Sequence, residues 1–297
     1  MVDLFMKGTL SRRQFLKRLS AALLAGVGIS FGGYSYIRFI EPKRLSVTKK
    51  QIKHRFIPKS FHQKTIVQFS DTHLSDYFKI EQLERVVNTI NSFNPDVIVF
   101  TGDLIDEPNR YNRLNDIVPV LQDLSAPLGK YAIYGNHDHG GYGTDIYKNI
   151  MERSNFELLQ NKSKKIQLED GSFIYMAGLD DLMLGKPDWD KTFHKMAENT
   201  YTILLAHEPD AANRTKHYPV HLQLSGHSHG GQIKLPFIGP LYTPPFSNDY
   251  HEGFYEVGST TLYVNRGLGT TRLPFRFLSV PEITVFTLIS NEETENL

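Results

Sequence analysis

Apolar residues gather along this chain in five short runs, each about five residues long, as buried strands are, and each broken off by a metal-binding type of side chain. The runs are Thr65–Phe69, Asp96–Phe100, Tyr131–Tyr134, Thr202–Ala206 and His221–Leu224. They are rich in Ile, Val, Leu and aromatic residues, the signature of a strand covered on both faces. Directly after them stand Asp71-Thr72-His73, Gly102-Asp103, Gly135-Asn136-His137-Asp138, His207 and Gly226-His227-Ser228-His229. Ligands of open α/β sheets gather beyond the carboxyl ends of the strands. Five such ends carrying Asp, Asn and His therefore predict convergence on one metal site.

Between the first runs the apolar period changes to that of a helix. Ile80, Leu83, Val86, Val87, Ile90 and Phe93 fall on one face, and Asn94-Pro95 ends the pattern. A second helix carries Leu114, Ile117, Val118 and Leu121, with Pro119 setting a kink or a limit. Strand and helix alternate from residue 65 to 134, which predicts parallel strands. A further helix is expected at Asp145–Ser154, and a hairpin at Lys164–Ala177 around Glu169-Asp170-Gly171. Trp189, Phe193 and Met196 fall at helical spacing and read as a buried face. Residues 230–245, rich in Gly and Pro, read as a long loop with short strands. Candidate strands at Gly253–Val257, Thr260–Val264 and Ile283–Leu288 close the domain. The β-rich second half favours two facing sheets with outer helices over a single sheet.

Composition changes this picture in two places. The net charge of +1 hides an asymmetry: residues 1–50 carry ten Lys/Arg and two acids, leaving 23 basic and 30 acidic residues, a net of −7, in the remainder. That body lacks the basic footprint of a nucleic-acid binder, so no nucleic-acid partner is expected. Cysteine is absent, which excludes disulfides and thiolate ligands and leaves oxygen and nitrogen donors.

The basic N-terminus has a pattern of its own. Ser11-Arg12-Arg13-Gln14-Phe15-Leu16-Lys17 resembles the twin-arginine export signal at every specified position, and the uncharged stretch Leu19–Ile37 follows it. Residues 1–40 are read as this signal, the alternative being a transmembrane anchor. No A-x-A site follows the apolar stretch, so cleavage and retention as an anchor both stay open. The twin-arginine translocase becomes an expected partner and the membrane an expected neighbour. Residues 41–64 read as a polar, basic connector, 65–290 as the catalytic domain and 291–297 as a polar tail.

The donor set, with two carboxylates, one amide and several imidazoles, suits two divalent ions such as Mn²⁺, Fe or Zn²⁺. Two ions can hold a shared hydroxide and clamp a phosphoryl group. The order D-x-H, G-D, G-N-H-D, H, G-H-x-H resembles the calcineurin-like metallophosphoesterase superfamily, all five blocks standing in family order. Gly226–Gln232 and Tyr263–Gly269, with the N-terminal signal, resemble its exported, YkuE-type bacterial branch. The resemblance implies an α/β fold of four layers, an α-β-β-α sandwich of the metallo-dependent phosphatase type. It implies that Asp71, His73 and His229 hold one metal, that Asn136, His207 and His227 hold the other, and that Asp103 bridges. His137 would be the catalytic non-ligand, and Asp138 would orient it. In the superfamily's protein phosphatases an Arg follows G-D-x-x-D; here Asp106 runs into Glu107-Pro108, which argues against that activity, and Asp106 reads as a turn residue.

The expected function is hydrolysis of a phosphodiester or phosphomonoester by a metal-bridging hydroxide outside the cytoplasmic membrane. The substrate would be a phosphoester, with an envelope lipid or wall polymer in reach of the anchor. Alternatives are a lipid-linked pyrophosphate hydrolase of the UDP-diacylglucosamine type, and a metal-bound scaffold without catalysis. Of the remaining histidines, His139 and His251 are the two expected near the pocket, and Arg266 reads equally as a phosphate contact or a structural ion pair.

Overall fold

A computed structural model describes residues 11–140, 143–194 and 196–290. Residues 1–10 of the segment expected to be an export signal and the tail expected at 291–297 lie outside the described residues. In chain order, helix α1 (Arg12–Ser35) runs on through a π-helical turn (Tyr36–Ile40) and a 3₁₀ turn (Glu41–Lys43) to β1 (Ser46–His54). There follow β2 (Thr65–Phe69), α2 (Ile80–Asn91), β3 (Val97–Phe100), α3 (Leu114–Gln122), β4 (Lys130–Ala132), α4 (Gly143–Arg153) and β5 (Glu157–Leu158). The second half holds β6 (Lys162–Gln167), β7 (Phe173–Gly178), the single turn α5 (Trp189–Thr192), β8 (Thr202–Leu205), the single turn α6 (Ala212–Thr215) and β9 (Leu222–Ser225). A small hairpin, β10 (Lys234–Leu235) and β11 (Gly239–Pro240), precedes β12 (Gly253–Val257), β13 (Thr260–Val264) and β14 (Glu282–Ser290).

Two six-stranded sheets face each other. The first runs β1-β14-β2-β3-β4-β5 and the second β12-β13-β9-β8-β7-β6. The strands β2 to β5 are parallel, as the alternation of strand and helix predicts, and β14 enters antiparallel to β2. In the second sheet β7, β8, β9 and β13 are parallel, with β6 and β12 antiparallel at its edges.

Period-two alternation sorts the side chains into layers. On β2 and β3, Val67, Phe69, Ile98 and Phe100 pack outward against α2, α3 and α4. Ile66, Val97 and Val99 point inward to meet Ile174, Met176, Ile203 and Leu224 of the second sheet. Trp189 and Phe193 cover the outer face of that second sheet. Helices, sheet, sheet and helical turns make the four-layer α-β-β-α sandwich. Strands buried on both faces read in sequence as unbroken apolar runs, and these do.

Two expectations are corrected. The stretch 41–64 is no free connector, because β1 pairs with β14 along its whole length and Ile57 and Phe61 are buried. As an edge strand it buries Ile52 alone, so its sequence reads polar. The helix expected around Trp189 closes after one turn, although Trp189 and Phe193 are buried. Helix α3 continues through Pro119. Ser11 caps helix α1: its hydroxyl accepts from the Gln14 N–H while Gln14 reaches back to the Ser11 N–H, a capping box. Among the described residues this is the one helix long and apolar enough to cross a membrane, and none of it is buried.

Candidate metal centre

Each of the five strands β2, β3, β4, β8 and β9 delivers its block at its carboxyl end, and the blocks meet at one edge of the sandwich. The turns there are tight. Gly226 lies so close to Ser70 and Asp71 that a Cβ would collide with both side chains. Gly102, at φ 98°, has no room beside Gly135 and His207. Asp71, His73, Asp103, His227 and His229 themselves have φ between 43° and 67°. Such left-handed backbone is uncommon for side-chain-bearing residues and costs on the order of 1 kcal/mol or more apiece.

Three sets of side chains lie close enough to hold a cation. Asp71, His73 and His229 form one buried cluster, Asp103, His207 and His227 the other, and nearer the cleft His73 also meets Asp106 and His137. Within the first, His229 Nε2 lies 3.1 Å from His73 Nε2 and 3.7 Å from Asp71 Oδ1. Within the second, His227 Nδ1 lies 3.2 Å from His207 Nε2. Asp103 Oδ2 stands between them, 3.4 Å from His73 Nε2 and 3.2 Å from His207 Nε2. Asn136 Oδ1 is buried with no hydrogen-bond partner among the described residues. Nitrogen lone pairs converging this closely, beside buried carboxylates and an unpartnered amide oxygen, fit cations, so the residues present fit divalent metals.

Backbone groups fix the imidazoles. His207 Nδ1 donates to the Thr101 carbonyl at 2.6 Å, leaving Nε2 to face Asp103. His227 Nε2 donates to the Pro245 carbonyl at 2.9 Å, leaving Nδ1 to face inward. Orientation of ligating histidines by an outer partner is the usual arrangement at metal sites. Burial, reinforced by His207, pushes the His227 pKa down to about 3, and burial together with His73 and Arg276 lowers that of His229. Both imidazoles are thereby kept neutral. Burial opposes ionisation of Asp103, but His207 and His137 outweigh it and hold its carboxyl well below the ordinary range.

His137 stands apart from both clusters' inner faces. Its N–H donates to Asp103 Oδ1 at 2.8 Å, and its Nδ1 lies 2.7 Å from the Asp106 carbonyl and 3.5 Å from the Asp106 carboxylate. The same carboxylate lies 3.3 Å from His73 Nδ1. Asp106, expected as a turn residue, is therefore the acid beside the two rings. Asp138, expected to orient His137, does something else. Its carboxylate accepts from the N–H groups of Asp103, Leu104 and Gly135 at 2.8–3.0 Å, tying the loops after β3 and β4 together. Burial and the charge of Asp103 push its pKa up to about 7.

A cleft of about 450 Å³ opens over the site, with His73, Asp103, Asn136 and His137 at its base and Ile233, Leu241, Tyr242 and Leu273 on one wall. Arg110 lines an adjoining cleft with Asn136 and His137, four residues beyond Asp106, and pairs with Glu107 at 2.8 Å. Sequence spacing missed it because the loop carries it back to the site. Buried Arg276 places Nη2 3.3 Å from His229 Nδ1. Arg266 pairs with Glu282 and reaches Ser46, the structural ion pair of its two readings. His139 binds Asp180 at 2.8 Å, and His251 offers its carbonyl to Ser228.

Comparison with known proteins agrees with this geometry. The calcineurin-like phosphoesterase family matches residues 64–231. The YkuE metallophosphoesterase of Bacillus subtilis is 56% identical over 281 residues, spanning 95% of this chain and 98% of that one. A Danio rerio transmembrane protein with a metallophosphoesterase domain is 32% identical over 86% of this chain and 59% of its own length. The UDP-2,3-diacylglucosamine pyrophosphatase LpxG of Chlamydia muridarum is 29% identical over 83% of this chain and 90% of that one. The chain belongs to the calcineurin-like phosphoesterase family, in its YkuE-type branch, and is a metal-dependent hydrolase of phosphoesters.

Proposed function

We propose that the chain hydrolyses phosphodiesters or phosphomonoesters of the cell envelope with two divalent ions, Mn²⁺, Fe or Zn²⁺, outside the cytoplasmic membrane. The observation that carries the two-ion reading is the position of Asp103 Oδ2, within 3.4 Å of an imidazole from each cluster. Asp71, His73 and His229 would hold the first ion, Asn136, His207 and His227 the second, and Asp103 would serve both. When bound, such ions lower the pKa of water and polarise a phosphoryl oxygen.

The protein's own groups do the rest. His137, fixed at Nδ1 by Asp106, directs Nε2 at the cleft and protonates the leaving oxygen. Asp106 is a positioning residue for His137 and His73, and Asp138 a structural one. The apolar wall of the cleft favours a substrate with a lipid portion, and the name of the LpxG relative supports a lipid-linked pyrophosphate as the second reading. The twin-arginine motif and exposed α1 support export and membrane association. On this reading residues 1–40 are signal or anchor, and the catalytic domain includes β1.

Elemental analysis of the purified chain, with turnover of a phosphoester panel, tests the proposal. Two ions per chain are expected, and His137→Ala should keep both while losing on the order of 10²–10⁴ in kcat. One ion per chain, or a fully active His137→Ala, sinks the assignment.

A further inference from the structure

The foot of α1 and the mouth of the metal site rest on the same short segment, residues 275–279. On one side, the Arg276 N–H donates to the Ile37 carbonyl at 3.0 Å, the rings of Tyr34 and Phe275 meet at 5.9 Å, and the Ser279 N–H donates to buried Glu41 at 2.8 Å. On the other, Phe277 bridges to Ile233, with backbone bonds to Gln232 and Lys234, at the base of the β10–β11 hairpin. That hairpin ends in Pro236-Phe237-Ile238. Phe237 is wholly exposed at 108% and Ile238 at 73%, and Phe237 has a φ of 66°. A bulky residue in left-handed backbone, held out into solvent, is strained and gains nothing from the core.

The surroundings have the composition of a membrane-facing surface. Leu241, Leu273 and Leu278 are exposed beside the hairpin, and the first two line the cleft over the metal donors. Arg272 is exposed too and lies 5.3 Å over the ring of Tyr242. Exposed Lys43 and Arg44 follow the foot of α1. An apolar projection beside basic residues is what a headgroup layer accommodates, apolar side chains below and cations at the surface.

We infer that the β10–β11 hairpin tip, Phe237 and Ile238, enters the bilayer that holds α1, so that the mouth of the cleft faces the lipid surface. This rests on the anchor reading of α1 above. The one segment that joins the anchor to the hairpin is the reason to choose the bilayer as occupant: with α1 inserted, the exposed tip has no other large apolar phase within reach. A phosphoester with an acyl tail would then reach the metals from the bilayer along the apolar wall.

The test uses the full chain in vesicles of phosphatidylglycerol, with and without a phospholipid brominated near the headgroup end of its acyl chains. The chain has a single tryptophan, Trp189, which is buried. Phe237→Trp therefore adds one readable probe. Glu169→Trp serves as control, in the β6–β7 turn at the amino end of β7, away from the site. Bromolipid should quench the added emission of Phe237→Trp by about twofold or more, as for a side chain at the acyl boundary, and leave that of Glu169→Trp unchanged. Equal quenching of the two, or none, overturns the inference. So does an emission of Phe237→Trp that shifts with protein concentration alone, which assigns the patch to a second copy of the chain.

A parent chain that fails to associate with vesicles refutes the anchor itself. In a second arm, Phe237→Ser with Ile238→Ser should hydrolyse soluble bis(p-nitrophenyl) phosphate at the parent rate. It should lose about fivefold or more on a phosphodiester embedded in vesicles. Equal rates on the embedded substrate overturn the inference, whereas absent hydrolysis by the parent counts against the proposed activity and leaves the quenching result in force.

Discussion

Asp138 adjoins His137 in sequence and Asp106 meets it in space, and their opposite duties decide what their substitution does. Asp138 satisfies three buried N–H groups. Removing it by Asp138→Ala leaves those donors unpaired, at about 1–3 kcal/mol for each. The expected result is a fall in Tm of about 6 °C or more, at roughly 2–4 °C for each kcal/mol lost. His137→Ala, by contrast, should change Tm little, since the ring is partly exposed and covers no core. A thermal melt of the two variants separates the roles, and an unchanged Tm for Asp138→Ala contradicts the structural one. That these Asp, Asn and His side chains meet was legible from sequence, because their blocks follow the ends of apolar runs. Which acid faces His137 was not, because that depends on how the loop after Asp103 folds back.

At the scale of elements, the five site strands were readable to within a residue or two because each is buried on both faces. β1 was not, since an edge strand needs one apolar residue where a central strand needs four. The turns after the strands set the site more tightly than the strands do. Gly226→Ala would push a Cβ into Ser70 and Asp71 and separate β9 from β2 where their donors meet. A stability loss of about 1–3 kcal/mol is expected, the usual range for overpacking, together with reduced metal content by elemental analysis. Full metal occupancy at unchanged stability would show that this contact can relax without cost.

The whole molecule joins its two sheets near β1 through His54, Tyr201 and His221, whose rings lie within 6 Å of one another. Burial, with the nearby His54 and Arg55, pushes the His221 pKa down to about 4, and burial with Arg55 also lowers that of His54. An unfolded histidine titrates near 6.5. Between about 4 and 6.5 the unfolded chain therefore binds more protons at His221 than the folded chain, and the stability present above that window is lost as pH falls through it. His221→Gln, which can still accept from the Thr202 N–H, should show a smaller drop in Tm between pH 7 and pH 4.5 than the parent; an identical drop assigns the acid sensitivity elsewhere. None of this was visible in sequence, where His221 opened an apolar run like any strand residue. The pairing of β1 with β14 has a last consequence, for the order in which the chain matures. β14 lies between β1 and β2, so the first sheet stays split until residues 282–290 have been synthesised. Contacts of such sequence separation form late and slowly. The earliest strand of the chain thus gains its neighbour only from the latest one, and an opening of the first sheet at that edge undoes the pairing that was made last.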